Sequence, residues 1–334
     1  MDLTTFRDIY TMETLTDMVN SIPEVPTMLS RYFGSEGIET TFAAIDIEEE
    51  RLKLIPSTAR GSEGPEPEAG STEKTIVVKS AHLVQTGHIT AQDVQDARQI
   101  GTDGLTTLDV KLSKIQRRLR NNMQATLEWH RVGAIKGKVL DADGVRVLHD
   151  IYDLFKVAPN DVQDVAWPSA VSGIVNPLVE QFNDLTDRVD LALGGTMYDG
   201  VSAIVGKSFW ERLTTNPWVR EAYNQWMMRQ SAYGEHSKNE PFHYGGIDWI
   251  RYNKVVGDNV LVAPDEAHIF PVGEDIMKHY WTPSDEIAAA NSMGQPYYSV
   301  SDIKRKRIDV EVQSNPITLC LFPKALFTLK SKAA

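Results

Sequence analysis

Hydrophobic positions change their period several times along the chain, and each change marks an element. The first forty residues carry scattered apolar anchors, among them Leu15, Met18, Ile22 and Leu29, set among acids and interrupted by Pro23 and Pro26. Such a stretch predicts an arm that leans on something else. From Thr40 to Leu54 the pattern alternates, with Ala43, Ile45 and Ile47 separated by Ala44 and Asp46, then Leu52 and Leu54 around Lys53. Alternation of this kind is the mark of a half-buried strand. A second strand-like run covers Thr75 to Leu83. Between the two lies Pro56 to Glu73, PSTARGSEGPEPEAGSTE, too polar and too punctuated by Gly and Pro to pack a core. Together they predict a long two-stranded loop with a polar tip.

Thr90, with Asp93 three residues later, suits the start of a short helix, and Gly101 and Gly104 punctuate the stretch after it. Leu108, Leu112, Ile115, Leu119, Met123 and Leu127 then recur at three- and four-residue intervals, which places them on one stripe of a helix from Thr106 to Trp129. At 1.5 Å per residue this helix is ~35 Å long. Lys111, Lys114, Arg117, Arg118 and Arg120 are expected on its remaining faces. The segment GAIKGKVLDADGVRVLHDI reads as two strands around a turn at Asp141 to Gly144. Asn176 and Pro177 supply a cap and a first-turn proline for a helix whose stripe is Leu178, Phe182, Leu185, Val189 and Leu193, stopped by Gly194 and Gly195. Val201 to Val205 is a buried-strand candidate. Two more helices are signalled, one after Ser208 by the capping-box pattern SFWE and one after Asn216 with Pro217 in its first turn. From Phe242 onward strands dominate: Ile247 to Tyr252, Val260 to Ala263, Ala267 to Val272, Ile308 to Gln313 and Ile317 to Phe322. Helices in the middle with strands at both ends predict an α+β chain without an internal repeat.

Composition narrows the function. The 334 residues are 42% hydrophobic and 24% charged, as in a folded globular protein. A net charge of -12 argues against broad attraction to phosphate backbones or anionic lipid, although a local basic patch is compatible with it. The opening MDLTTFRDIYTMETL has no positive region followed by an apolar one, so no secretory leader is expected, and no apolar run reaches the ~18 to 20 residues of a membrane helix. One cysteine, Cys320, flanked by Leu319, Leu321 and Phe322, reads as a small buried hydrophobe. His236 and His243 with Glu240 and Asp248 form the best metal-like cluster, but their spacing matches no metal signature, and two polar loop histidines explain them. Gly194, Gly195 and Gly200 follow a helix and precede a strand, the reverse of a phosphate-cradling loop. Trp210, Trp218 and Trp226 are assigned to packing. The basic residues at positions 111 to 120 either form a solvated face or meet packaged nucleic acid or a neighbour's acidic loop. No catalytic constellation, cofactor site or metal site emerges.

The order of features, and four segments in particular, carry a resemblance. These are the Lys74 to Ala81 strand leading towards a long basic helix, AIKGKV from Ala134, SAIVGKSFWERL from Ser202, and IDVEVQSNPITLCLFPKALFTL from Ile308. In them the chain resembles the lambda-type major capsid proteins (capsid protein E family) of tailed bacteriophages. That resemblance implies an α+β chain with the Hong Kong 97-like capsid fold. It divides into an N-terminal arm (1–39), an extended loop (40–88), a peripheral domain with a long spine helix (89–157), an axial domain (158–284) and C-terminal strands returning to the peripheral domain (285–334).

The function so implied is a shell of identical subunits, in hexamers and pentamers, around double-stranded DNA, with no enzymatic activity. Two strands alone are marginal in water, so Leu52, Leu54, Ile76 and Val78 are expected to make inter-subunit contacts through the extended loop. Leu112, Ile115 and Leu119 are expected to bury the spine helix in its own domain. Lys111, Lys114, Arg117, Arg118 and Arg120 are expected to make charged contacts, with packaged DNA touched weakly and without sequence specificity. Further implied partners are a decoration protein at three-fold sites, facing the loop tip from Gly61 to Glu73, and a portal and scaffold during assembly in the host cytoplasm. No membrane partner is implied. Lys53, Lys74 and Lys79 lie in the loop region, but nothing marks a partner Asn and Glu for covalent crosslinks, and none are expected. An encapsulin-like storage shell and an acidic α+β enzyme are the alternatives.

Overall fold

The computed structural model describes residues 9–23, 27–47, 74–94, 108–169, 175–232, 240–257 and 259–332. Helix α1 (Met12–Ser21) is capped by the Thr11 hydroxyl, which accepts from Thr14 N at 3.3 Å. It ends where Ile22 turns extended, as the residue before Pro23 must. Strands β1 (Gly34–Gly37), β2 (Phe42–Ile47), β3 (Lys74–Lys79) and β4 (Leu83–Thr90) come next. The single strand expected over Thr75 to Leu83 is thus two, broken at Ser80 to His82 where the backbone changes partner. β3 pairs with β2 in register Phe42↔Lys79 to Ile47↔Lys74, whereas β4 pairs far away with the C-terminal part of the chain. Leu52, Leu54 and the polar loop tip lie outside the described residues.

Thr90 and Asp93 cap α2 (Ala91–Val94) reciprocally: Thr90 N donates to Asp93 Oδ2 at 2.9 Å and Asp93 N to Thr90 Oγ1 at 3.3 Å. The spine helix α3 (Leu108–Lys136) has 29 residues and runs seven beyond its expected end. The sequence misleads there because Ile135 between two glycines looks strand-like. Gly133 is instead helical. A Cβ on it would lie 2.8 Å from Lys138 O and 2.9 Å from Val139 Cα, so it lets the next strand cross against the helix. Gly137, at φ +82, makes the left-handed stop. The hairpin is therefore β5 (Lys138–Leu140) and β6 (Val147–Asp150), turned where Gly144 N donates to Asp141 O at 3.0 Å.

A short helix α4 (Ile151–Phe155) and strand β7 (Gln163–Asp164) lead to α5 (Pro177–Leu193). Here local chemistry and structure agree. Asn176 Oδ1 accepts from Leu178 N at 3.1 Å, Pro177 opens the helix, the stripe Leu178, Phe182, Leu185, Val189 and Leu193 is buried, and Gly194 stops it at φ +64. After β8 (Gly200–Val205) comes α6 (Lys207–Thr215), which starts before Ser208 rather than after it. Its N-cap is Gly206, without a side-chain cap, and the capping-box reading of SFWE does not hold. The helix start is held by tertiary bonds instead: Gly206 N donates to Glu266 O and Phe209 N to Pro264 O, both at 2.9 Å. A Cβ at 206 would collide with Ala263 O. α7 (Arg220–Ala232) comes after the turn capped by Asn216.

The rest is largely strands: β9 (Phe242–Tyr244), β10 (Ile247–Arg251), β11 (Val255–Val256), β12 (Asn259–Val260), β13 (Glu266–Val272), β14 (Met277–Trp281), β15 (Tyr298–Ile303), β16 (Arg307–Ser314), β17 (Pro316–Cys320) and β18 (Phe327–Lys330). Three sheets carry the architecture. A six-stranded sheet has the order β7-β18-β13-β8-β10-β9, with β8 buried at its centre. The antiparallel sheet β15-β16-β4 is covered by α1 and α3 through Leu15, Ile89, Leu112 and Val310. The sheet β1-β14-β17 joins the N-terminal segment to the C-terminal strands. The stretch 285–334 does not return whole to the spine-helix sheet. β16 joins it, but β18 adds to the six-stranded sheet between β7 and β13, where Phe327 and Leu329 are buried.

Leu112 is 0% and Leu119 4% exposed, whereas Ile115 is half-buried against Gly87 of β4. A carboxylate at position 112 therefore enters a site without water. Leu112→Asp should lower unfolding stability by several kcal/mol, on the order of 3 to 5, and Ile115→Asp by clearly less. Urea titrations of the two variants check this ranking, and equal losses would contradict it.

Candidate functional site: spine helix, arm and hairpin

The stripe Leu112, Leu119, Met123 and Leu127 is only part of what α3 buries. Beside it runs a polar rail of Gln116, Gln124 and Glu128, and Arg120 lies on this rail. Arg120 was expected among the exposed cations, yet it is 2% exposed. The cause is the arm. The C-terminal carbonyls of α1 have no helical partner and need donors. Arg120 Nη1 donates to Val19 O at 3.1 Å and to Ile22 O, and its guanidinium sits 5.0 Å above the Tyr297 ring. One turn earlier Gln116 Nε2 donates to Leu15 O at 3.1 Å and to Ser299 Oγ at 3.0 Å. The arm thus leans on its own spine helix.

Two turns beyond Arg120 is a junction that sequence reasoning missed. The buried Glu128 carboxylate accepts from Leu29 N at 3.3 Å and from Tyr252 OH at 2.9 Å, with Lys254 Nζ at 3.8 Å and Arg131 Nη1 at 3.5 Å. Arg131 in turn donates to Thr27 Oγ1 at 2.9 Å. One carboxylate therefore joins the N-terminal segment, the spine helix and the end of β10. Burial, with the Glu128 charge added, raises the Tyr252 hydroxyl far above its usual range. Two imidazoles lie alongside. Burial pushes His130 down to about 4, helped by the charges of His149 and Arg131. His279, fully buried and 3.0 Å from Thr318 Oγ1, is held well below the usual range by burial first and then by Arg131 and His130.

In the hairpin β2–β3 the register places Ala43, Ile45, Ile76 and Val78 on one face and Phe42, Ala44 and Val77 on the other. Ile76 and Val78, expected to wait for a neighbouring subunit, are 9% and 1% exposed and belong to the main core of their own chain. The apolar side chains left outside are Phe42, at 40%, and Val77, at 54%. The hairpin root is fixed: His149 Nε2 donates to Lys79 O at 2.8 Å and Ala81 N to Pro316 O at 3.0 Å. Lys53 lies outside the described residues.

On the solvent side of α3, Lys114, Arg117 and Arg118 are exposed and Lys111 half-buried. With His88, Asp93, Asn121 and Asn122 they line a groove of ≈ 540 Å³ between helix and β4. The other sequence candidates are dispersed. His243 Nδ1 meets Asp248 Oδ1 at 2.8 Å as a cross-strand pair on β9 and β10, and His236 lies outside the described residues. Among the described residues no three of His, Cys, Asp and Glu stand close enough to hold a metal ion. The buried Cys320 thiol is pushed up to about 12, unsuited to a nucleophile. Trp210 and Trp226 pack with Tyr223 and Phe242 in an aromatic cluster.

What the geometry offers is docking surface: an arm clamped on a long helix, a rooted hairpin and a basic groove. The family model for phage major capsid protein E matches residues 11–331. The chain belongs to the phage major capsid protein E family. It is 27% identical to the major capsid protein of Salmonella phage Felix O1 over 96% of this chain and 95% of that one. It is 25% identical to the major capsid protein of Pseudomonas phage KPP10 over 76% of each. The fold is Hong Kong 97-like. It matches the proposed capsid protein of an E. coli CFT073 prophage at TM-score 0.54 and 13% identity, covering 97% of this chain and 99% of that one. A capsid chain of cyanophage P-SCSP1u matches at TM-score 0.50 and 8% identity, covering 94% and 90%. Within this family the spine helix, arm and hairpin are parts of a structural protein.

The junction beside Glu128 sets a pH dependence. An imidazole kept neutral by the fold takes up a proton in the unfolded chain from about pH 6.5 downward. Its stabilising contribution is complete above that value and is lost as pH falls towards about 4, the folded value for His130. At pH 5 the loss from one such group is about 2 kcal/mol. The melting temperature should therefore be several degrees lower at pH 5.0 than at pH 7.5, and His130→Gln should narrow the gap. Identical melting of the wild type at both pH values would count against the buried neutral imidazoles.

Proposed function

We propose that copies of this chain assemble, in hexamers and pentamers, into the icosahedral head of a tailed bacteriophage around double-stranded DNA, and that the chain has no catalytic activity of its own. The observation that carries this reading is the match of the capsid family over residues 11–331 together with the Hong Kong 97-like fold. Both curated relatives are phage proteins, which favours a phage head over a storage shell.

The surface chemistry supports contacts between copies. The outward face of the hairpin shows Phe42 and Val77, and the hairpin root is held by hydrogen bonds. A two-stranded ribbon gains most when a second subunit covers such a face. Many modest contacts closed by symmetry then hold a shell without a strong one. In this reading residues 1–39 are the arm, and the extended loop, expected over 40–88, ends at 79 because β4 pairs with β16. The spine helix with β4, β15 and β16 makes the peripheral domain, and the six-stranded sheet with α5 to α7 makes the axial domain. A decoration protein at three-fold positions, a portal and a scaffold are the further partners, and assembly takes place in the host cytoplasm.

Sedimentation and negative-stain microscopy of the purified chain test the reading. Megadalton closed shells are the expected outcome, and a small soluble oligomer under all assembly conditions would refute it. Phe42→Asp with Val77→Asp should leave the subunit folded and reduce shell yield. Unchanged shells from that pair would remove the hairpin face from the interface.

A further inference from the structure

The turn joining β15 to β16 reads Lys304-Arg305-Lys306-Arg307, four cations in succession, all exposed, with no apolar residue among them. Lys304 N donates to Arg307 O at 2.9 Å and closes the turn. Two of the four are already committed. Lys304 Nζ lies 2.5 Å from Asp309 Oδ2 and 3.7 Å from Asp302 Oδ2, and Arg307 Nε lies 2.9 Å from Asp309 Oδ1. Among the described residues, Arg305 and Lys306 meet no carboxylate at ion-pair distance.

The turn is joined to the groove on the spine helix. Arg307 stands opposite Thr90 of β4, and His88 shares Asp309 Oδ1 with Arg307 at 2.7 Å while bordering the groove. The helix wall of that groove carries Lys111, Lys114, Arg117 and Arg118. Its one carboxylate, Asp93, is occupied by Thr90, accepting from the backbone N–H at 2.9 Å and the hydroxyl at 2.6 Å. Turn and helix wall thus form one basic surface on a chain whose net charge is -12.

We propose that this surface binds the sugar-phosphate backbone of double-stranded DNA without reading bases. The inference rests on the head-shell reading and assigns the genome contact to specific side chains. Two features favour phosphate over an acidic protein segment. Protein partners draw their affinity from desolvated aromatic and aliphatic anchors, and here the apolar lining is confined to Ile89 and the half-buried Ile115. Backbone phosphates require only placed charges and N–H donors, which the cations and the amides of Asn121 and Asn122 supply. Lys111, Lys114 and Arg118 stand at i, i+3 and i+7, a row of ~10 Å along the helix, about three steps of duplex.

Fluorescence anisotropy with a fluorescein-labelled duplex of ~20 base pairs tests this on the full chain, kept unassembled by dilution. Binding should be independent of sequence and weaken with salt, with a slope in log K of up to about -5 from six uncommitted cations at ~0.9 each. Arg305→Glu with Lys306→Glu, and separately Lys114→Glu with Arg118→Glu, should each weaken binding at least ~10-fold at 50 mM salt and flatten the slope by about 2. Arg305→Gln with Lys306→Gln, which introduces no new charge, should act in the same direction and guards against a misfolded reversal, folding being checked by circular dichroism. Charge-reversed pairs that bind within twofold of wild type would overturn the proposal. So would a poly-glutamate peptide that binds more tightly than the duplex, which would give the surface to an acidic protein segment. Closed shells without duplex binding would overturn this inference and leave the shell reading standing. Duplex binding by a chain that never forms shells would keep the surface and remove the shell.

Discussion

A buried charged side chain is costly unless its hydrogen bonds are met, and the whole architecture depends on how the spine helix meets that condition. Arg120, Glu128 and Arg131 lie within three turns of one face of the helix, all below 10% exposure. Glu128 and Arg131 pair with each other at 3.5 Å along the helix, but none of the three is satisfied by the helix alone. Arg120 requires the carbonyls of Val19 and Ile22, Glu128 requires Leu29 N and Tyr252 OH, and Arg131 requires Thr27. An apolar stripe would tolerate sliding of the arm by a residue. These bonds tolerate one placement, so the cost of burying charge is converted into a fixed path for residues 11–23 and 27–33.

That fixed path organises the other layers. Once the N-terminal segment is pinned, β1 falls in parallel register on β14, from Gly34↔Lys278 to Gly37↔Trp281, and β14 is in turn paired with β17. Chain ends that are far apart in sequence then share a sheet, and Tyr252, at the end of β10, links that assembly to the six-stranded sheet through Glu128. The hairpin is rooted in this frame, with Ala43, Ile76 and Val78 in the main core, and its outer face and the groove are turned to solvent. For a subunit that must join many copies, rigid roots with free outer faces are the useful division of labour.

Sequence reasoning succeeded where the determinant was local. The Asn176-Pro177 start, the α5 stripe and the Gly194 stop are encoded within a few residues of where they act. Thr90 and Asp93 are the same case. It failed where tertiary partners decide. Ser208 looked like a cap, but Gly206 is the N-cap because strand β13 and its lead-in supply the acceptors. The last turns of the spine helix looked like a strand because a glycine needed for close crossing reads as punctuation. Strands β14, β15 and β18 are short and mix polar with apolar residues, so their periodicity is weak, and only pairing reveals them.

The misplacement of Arg120 shows why surfaces are harder to read than cores. Charge type made it equivalent to Arg117 and Arg118, yet one is buried and two are exposed. The difference lies in residues about a hundred positions earlier, whose unpaired carbonyls require a donor. The hairpin gives the converse error. Ile76 and Val78 were assigned to a neighbour because two strands alone are marginal, but the core of the same chain covers them and leaves Phe42 and Val77 outside. An assembly surface is the remainder once intramolecular demands are met. It is therefore defined by subtraction, and the pattern along a single chain specifies the buried set more directly than the surface left over.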